Sequence, residues 1–190
     1  MDRREALSRV ALLLGGTVIG GTIFLEGCKP ADKKYGTTEA FSPEDIAYLD
    51  EVAETIIPTT NTPGAKAAKV GAFMTVMVND CYTTADQKVF KEGMGKLNEA
   101  SDKKFKNNFM DITPEQRKEL LNELDKEQKA YAKTKKKEDS NHYFRMMKEL
   151  TLLGYFTSEI GATQALRYLP VPGRYDGNLP YKKGDRAWAT

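Results

Sequence analysis

Residues 42–58 read SPEDIAYLDEVAETIIP, and this stretch decides the fold class. Ser42 carries a side-chain oxygen suited to the unpaired N–H groups that begin a helix. Pro43 has no N–H to lose in a first turn, and Glu44 and Asp45 lie where the helix dipole favours negative charge. Ile46, Leu49, Val52, Ala53, Ile56 and Ile57 then recur at helical spacing. Pro58 cannot carry the helix on. The result is one helix with an apolar stripe that needs partners.

The same logic recurs outward along the chain. Thr59 to Gly64 reads as a turn-rich loop, and Ala65 opens a second helical stretch reaching Cys81. Thr84 with Gln87 has capping-box spacing and starts a helix that fades near Asn107. Gly93 and Gly95 each weaken that helix by about 1 kcal/mol. Thr113-Pro114-Glu115-Gln116 repeats the start at Ser42. It predicts a highly charged helix to Thr134, with Leu120, Leu121 and Leu124 on its buried side. A last helix begins near Ser140 and carries Tyr143, Phe144, Met147, Leu150, Leu153, Tyr155 and Phe156. Gly154 and Gly161 are expected to share a face where another backbone approaches. No alternating run is long enough for a central strand. Residues 42–190 are therefore read as a single all-α bundle domain.

From Arg167 the composition changes. Pro170, Pro172, Gly173, Gly177, Pro180 and Gly184 forbid a regular helix. Tyr168, Tyr175, Tyr181 and Trp188 are interleaved with Arg167, Arg174 and Arg186. A disordered tail seldom carries so many aromatics, and these types dominate interface hot spots. Tail 167–190 is expected to lie ordered against something, its own helices or a partner. Arg174, Tyr175, Tyr181 and Trp188 are the candidate partner contacts.

The other end is a targeting segment. Arg3-Arg4 is followed by an uncharged, glycine-rich apolar run from Val10 to Leu25. As a helix it would span about 24 Å, short of the roughly 30 Å hydrocarbon core. A charged start and a short apolar run are the pattern of a signal peptide, and paired arginines point to the twin-arginine route. Ala6 stands where that consensus usually has phenylalanine. The run ends in Leu25-Glu26-Gly27-Cys28, which resembles a lipid-attachment box except at Glu26. Residues 1–27 are read as the signal, Cys28 as the lipidated cysteine and 28–41 as a flexible tether. An uncleaved anchor is the alternative. The expected location is the periplasm, on the membrane.

Composition excludes several classes. The 190 residues suit one domain plus a targeting segment. The formal net charge of +2 gives no reason to invoke nucleic acid. The basic run Lys133 to Lys137 reads as a solvated helix end. Cys81, in an apolar stretch, is expected to be a buried, inert thiol. His142 is the one histidine, which excludes a multi-histidine metal site, and it is expected at the surface. Glu115, Glu119 and Glu123 sit four apart on a charged face, with nothing to mark them as acid/base groups. There is no C-x-x-C-H, no P-loop and no glycine fingerprint after a strand. No catalytic, metal or cofactor residue is assigned to this chain.

Three segments together resemble one family. They are Ala53-Glu54-Thr55-Ile56-Ile57-Pro58 through Thr62-Pro63-Gly64-Ala65, then Leu153-Gly154-Tyr155-Phe156-Thr157-Ser158-Glu159, then Pro170-Val171-Pro172-Gly173-Arg174-Tyr175-Asp176-Gly177. In this order they are similar to the gluconate 2-dehydrogenase subunit 3 family. The resemblance implies a small, non-catalytic subunit beside a large flavoprotein of the glucose–methanol–choline type. That partner would bind FAD, oxidise a sugar or sugar acid and pass electrons to a cytochrome c subunit. The large subunit could cross the membrane folded, riding on Arg3-Arg4, and stay there through a lipid on Cys28. Two rival readings are an independent structural or solute-binding lipoprotein and an independent enzyme with an unrecognised site.

Overall fold

The computed structural model describes residues 35–36, 40–171 and 173–189. Arg3, Arg4, Cys28 and most of the tether lie outside the described residues. The chain is all-α. Its described helices are α1 (Pro43–Ile56), α2 (Val70–Cys81), α3 (Thr84–Phe105), α4 (Pro114–Thr134) and α5 (Tyr143–Thr157), followed by a π-helical turn (Gly161–Ala165). None is long and apolar enough to cross a membrane.

The helix starts at Ser42 and Thr113 form as read. The Ser42 hydroxyl accepts the Asp45 N–H at 3.1 Å, and the Asp45 carboxylate accepts the Ser42 N–H at 3.0 Å. Thr113 and Gln116 exchange the same pair of bonds at the head of α4. Each such cap is worth about 1 kcal/mol. The other starts differ from the reading. Residues 65–69 form a turn, and Lys69 takes a left-handed conformation with φ of 55°, so α2 begins only at Val70. The cap of α3 is Thr83, whose hydroxyl accepts the Asp86 N–H. Gln87 instead donates to the Asn79 and Tyr82 carbonyls, closing the end of α2.

Helix α5 is the hub, since it packs on α1, α2, α3 and α4. Its buried face holds Phe144, Met147, Leu150, Thr151 and Tyr155. Against it lie Leu49 and Val52 of α1, Met74 and Val78 of α2, Phe90, Met94 and Leu97 of α3, and Leu120, Leu121 and Leu124 of α4. Gly93 lets Tyr143 of α5 come close: a Cβ there would stand 2.3 Å from the Tyr143 Cβ. Tyr48 is fully buried, and its hydroxyl donates to the Met94 carbonyl at 3.3 Å. Burial pushes its phenol pKa up.

Three expectations are corrected here. Tyr35 and Gly36 fall within the stretch expected to be a tether, yet Tyr35 is buried and stacks on Tyr48 at 4.2 Å. The Gly36 N–H donates to Asp45 at 2.9 Å. An aromatic with an apolar surface to cover overrides the polar residues around it. Gly154 and Gly161 do not share a helical face, because α5 stops at Thr157. Gly154 admits the ring of Phe73 rather than a backbone, and Gly161 lies against the Tyr155 carbonyl in the π turn. Cys81 is exposed. The buried stripe of α2 runs Val70, Met74, Val78 and continues to Tyr82, which packs on the core, so Cys81 falls beside it at the helix end.

Candidate partner-binding surface

The loop after α1 is built around one carboxylate. Glu54 accepts the Thr59 N–H and hydroxyl on one oxygen, both at 2.8 Å, and the Lys66 N–H on the other at 2.9 Å. Thr59 in turn accepts the Gly64 N–H at 3.0 Å. A side chain at Gly64 would strike the Glu54 carboxylate at 2.3 Å. Asp50, one turn earlier, accepts the Gly71 N–H at 2.7 Å and so caps α2 from α1. Burial raises the Asp50 pKa, although this bond and Lys66 act against it.

Glu51 completes the cluster. It pairs with Lys66 at 2.9 Å and with Arg117. Burial pushes its pKa up, but the two cations outweigh that and leave it lowered. Arg117 also donates to the Phe109 and Met110 carbonyls, at 3.0 and 2.7 Å, tying the loop before α4 to α1. All three acids thus hold this chain's own backbone or cations.

From this loop the architecture leads to the tail. The Tyr155 hydroxyl of α5 donates to the Pro63 carbonyl at 2.7 Å, so the first two resembling segments meet in space. The π turn follows, with Ser158 accepting the Gly161 N–H at 3.0 Å. Arg186 returns from the tail to donate to the Gln164 and Thr163 carbonyls at 2.7 and 3.3 Å. Arg167 donates its N–H to the Ala187 carbonyl at 2.8 Å and accepts the Ala189 N–H at 2.9 Å. Its guanidinium lies 4.3 Å from the Trp188 ring centroid.

The four tail candidates are therefore not equivalent. Trp188 is 45% exposed and packs on Arg167. Tyr175 is 96% exposed, Tyr181 77%, and the Arg174 side chain 85%, with Asp176 3.7 Å away. Tyr168, Leu169, Val171 and Leu179 are exposed too, as are Leu152, Leu153 and Phe156 at the end of α5. An apolar and aromatic accumulation of this kind is a mark of an interaction surface.

Other titratable groups serve structure. His142 is corrected from the surface: its side chain is 10% exposed. It caps α5 by accepting the Phe144 N–H on Nδ1 at 3.3 Å, and its ring packs 4.4 Å from that of Tyr143. Glu119 and Glu123 both pair with Lys104 at 2.6 Å, while Glu115 is exposed. Lys129 and Lys148 clasp Asp125 and hold its carboxyl well below the usual range. An open groove of about 450 Å³ between α4 and α5 is rimmed by Lys129, Lys133, Arg145 and Lys148. No group of three His, Cys, Asp or Glu residues among those described could hold a metal. The described elements include no strand–turn–helix to cradle a dinucleotide pyrophosphate.

Sequence reading missed Glu54, Asp50 and Tyr155 as the residues that assemble this surface. Only the bonds across the fold distinguish them from other acids and aromatics on helices.

The described residues thus form an all-α domain whose Asp50, Glu51 and Glu54 are engaged within the chain and whose Arg174, Tyr175 and Tyr181 are exposed. A model of gluconate 2-dehydrogenase subunit 3 matches residues 43–173, and the chain belongs to that family. The family consists of accessory subunits of dehydrogenase complexes, which implies a dehydrogenase partner, and FAD belongs to that partner. The match ends at Gly173, so Arg174, Tyr175, Tyr181 and Trp188 lie beyond it. Comparisons with curated proteins and with solved structures returned no match.

Proposed function

We propose that this chain is the non-catalytic small subunit of an exported, membrane-anchored, FAD-dependent dehydrogenase of sugars or sugar acids. Its partner is a large subunit of the glucose–methanol–choline type, with a cytochrome c subunit as electron acceptor. The chain supports twin-arginine export of the folded flavoprotein, its assembly, and its tethering in the periplasm through a lipid on Cys28. A single acyl chain binds membranes only marginally, so a diacylated cysteine suits this role.

The observation that carries the reading is the use of the polar groups. Asp50, Glu51, Glu54, Asp125 and His142 are committed to caps, loops and ion pairs within this chain. A subunit so built contributes surface and location, and family membership supplies the kind of partner.

Replacing both Arg3 and Arg4 with lysine tests the carrier role. The expected outcome is that this chain, the large subunit and the dehydrogenase activity all stay in the cytoplasm. Activity that still reaches the periplasm would overturn it.

A further inference from the structure

We propose that the described residues between 168 and 187 form a preformed hook, fastened at its base to this chain and presenting its tip to an acidic face of the dehydrogenase large subunit. The inference rests on the complex proposed above and divides the tail between self and partner.

The base is closed on three sides. Two backbone hydrogen bonds join Arg167 to Ala187 and Ala189. The Arg167 guanidinium covers the Trp188 ring, and Arg186 holds the two carbonyls of the π turn. Arg167 Nε is buried with no hydrogen-bond partner among the described residues, so the ring contact carries much of that end. Within the hook, local bonds set the turns. Asp176 accepts the Asn178 N–H at 3.2 Å. Lys182 and Asp185 exchange two bonds at 3.0 Å. Gly173 and Gly184 take φ of 72° and 97°, which other residues rarely adopt.

A loop this long would cost much entropy to order on binding if its ends were free. Closing the base removes part of that cost before any partner arrives. Yet Tyr175, Tyr181 and Val171 stay largely exposed to solvent. Tyrosine and arginine in this setting are hot-spot types. From residue 167 to 189 five cations face two acids, Asp176 and Asp185. The Asp185 carboxylate is turned to the Lys182 N–H. Asp176 lies 3.7 Å from Arg174 and offsets part of its charge. Lys182 and Lys183, with the exposed Arg174 beside them, thus leave the tip net positive, which favours an acidic surface and speeds the encounter with it. Trp188 is then a positioning residue, whereas Arg174, Tyr175 and Tyr181 make the contact.

The test uses the full-length chain and the flavoprotein that co-purifies with it, both in mild detergent. Binding rates are measured across a range of salt, and amide exchange is followed over 168–187. The double variant Tyr175→Ala with Tyr181→Ala is expected to bind about tenfold more weakly or worse, with loop exchange unchanged. Neutralising Arg174, Lys182 and Lys183 is expected to slow association and flatten its salt dependence. Trp188→Ala should raise exchange across the loop and weaken binding, and Trp188→Phe should restore part of both. Tyrosine variants that bind within about twofold of the parent chain would overturn the hook, since hot spots cost more than that. So would association that ignores salt, or a Trp188→Ala loop as protected as the parent. A parent chain that holds no flavoprotein defeats the proposed function itself, which is a separate failure.

Discussion

Glu54 shows how one side chain shapes the surface. Its two oxygens accept three hydrogen bonds from the loop that the family motif encodes. In Glu54→Gln, one oxygen becomes an NH2 group facing a donor. The expected cost is about 1–2 kcal/mol, read as a lower urea midpoint with unchanged slope. His142 makes a second residue-scale prediction. Burial lowers its pKa from 6.5, the neighbouring Glu127 opposes that, and Lys96 adds to it. The folded chain thus binds this proton less readily than the unfolded chain. The stability this neutral cap contributes is present above 6.5 and is lost as pH falls towards the lowered folded value. Protonation also removes the Nδ1 lone pair that caps α5. His142→Asn keeps a capping oxygen and does not titrate. Thermal midpoints at about pH 7 and about pH 5.5 should therefore differ less in the variant than in the parent chain. Equal differences would contradict the assignment.

At the scale of elements, α3 offers a matched pair. Gly93 and Gly95 look alike in sequence, and both are expected to weaken the helix. Across the fold they are opposites. A Cβ at Gly93 meets Tyr143 at 2.3 Å, whereas nothing lies within 4 Å of one at Gly95. Gly95→Ala should raise stability by about 0.5–1 kcal/mol, and Gly93→Ala should lower it by about 1–3 kcal/mol. Chemical unfolding of the two variants checks the sign of each. The pair also shows what was legible. Periodicity and local capping chemistry at Ser42 and Thr113 located α1 and α4, because those signals lie within a few residues of one another. The start of α2 was not legible, since it depends on Asp50 reaching across to Gly71. Tyr35 was read as tether for the same reason: its partner, Tyr48, lies in α1. His142 is expected at the surface because nothing local announces that Tyr131 and Glu127 of α4 lie beside it. The surface was legible as a composition of tyrosines and arginines. The division between Trp188 and Tyr175 was not, because it follows from how the tail closes on the π turn.

At the scale of the whole molecule, the proposed function joins an export signal, expected at Arg3-Arg4 and Cys28, to a helical domain whose Asp50, Glu51 and Glu54 are engaged within the chain. Under that proposal location and partnership are the function: the chain binds a flavoprotein and has no turnover of its own. The most direct measurement is purification of the tagged full-length chain in mild detergent, with flavin and subunit ratio determined before and after the subunits are separated. The expected result is one large FAD-containing subunit per chain, flavin that stays with that subunit, and no sugar oxidation by the separated small chain. A chain that purifies without a flavoprotein, or one that oxidises a sugar alone, would contradict it.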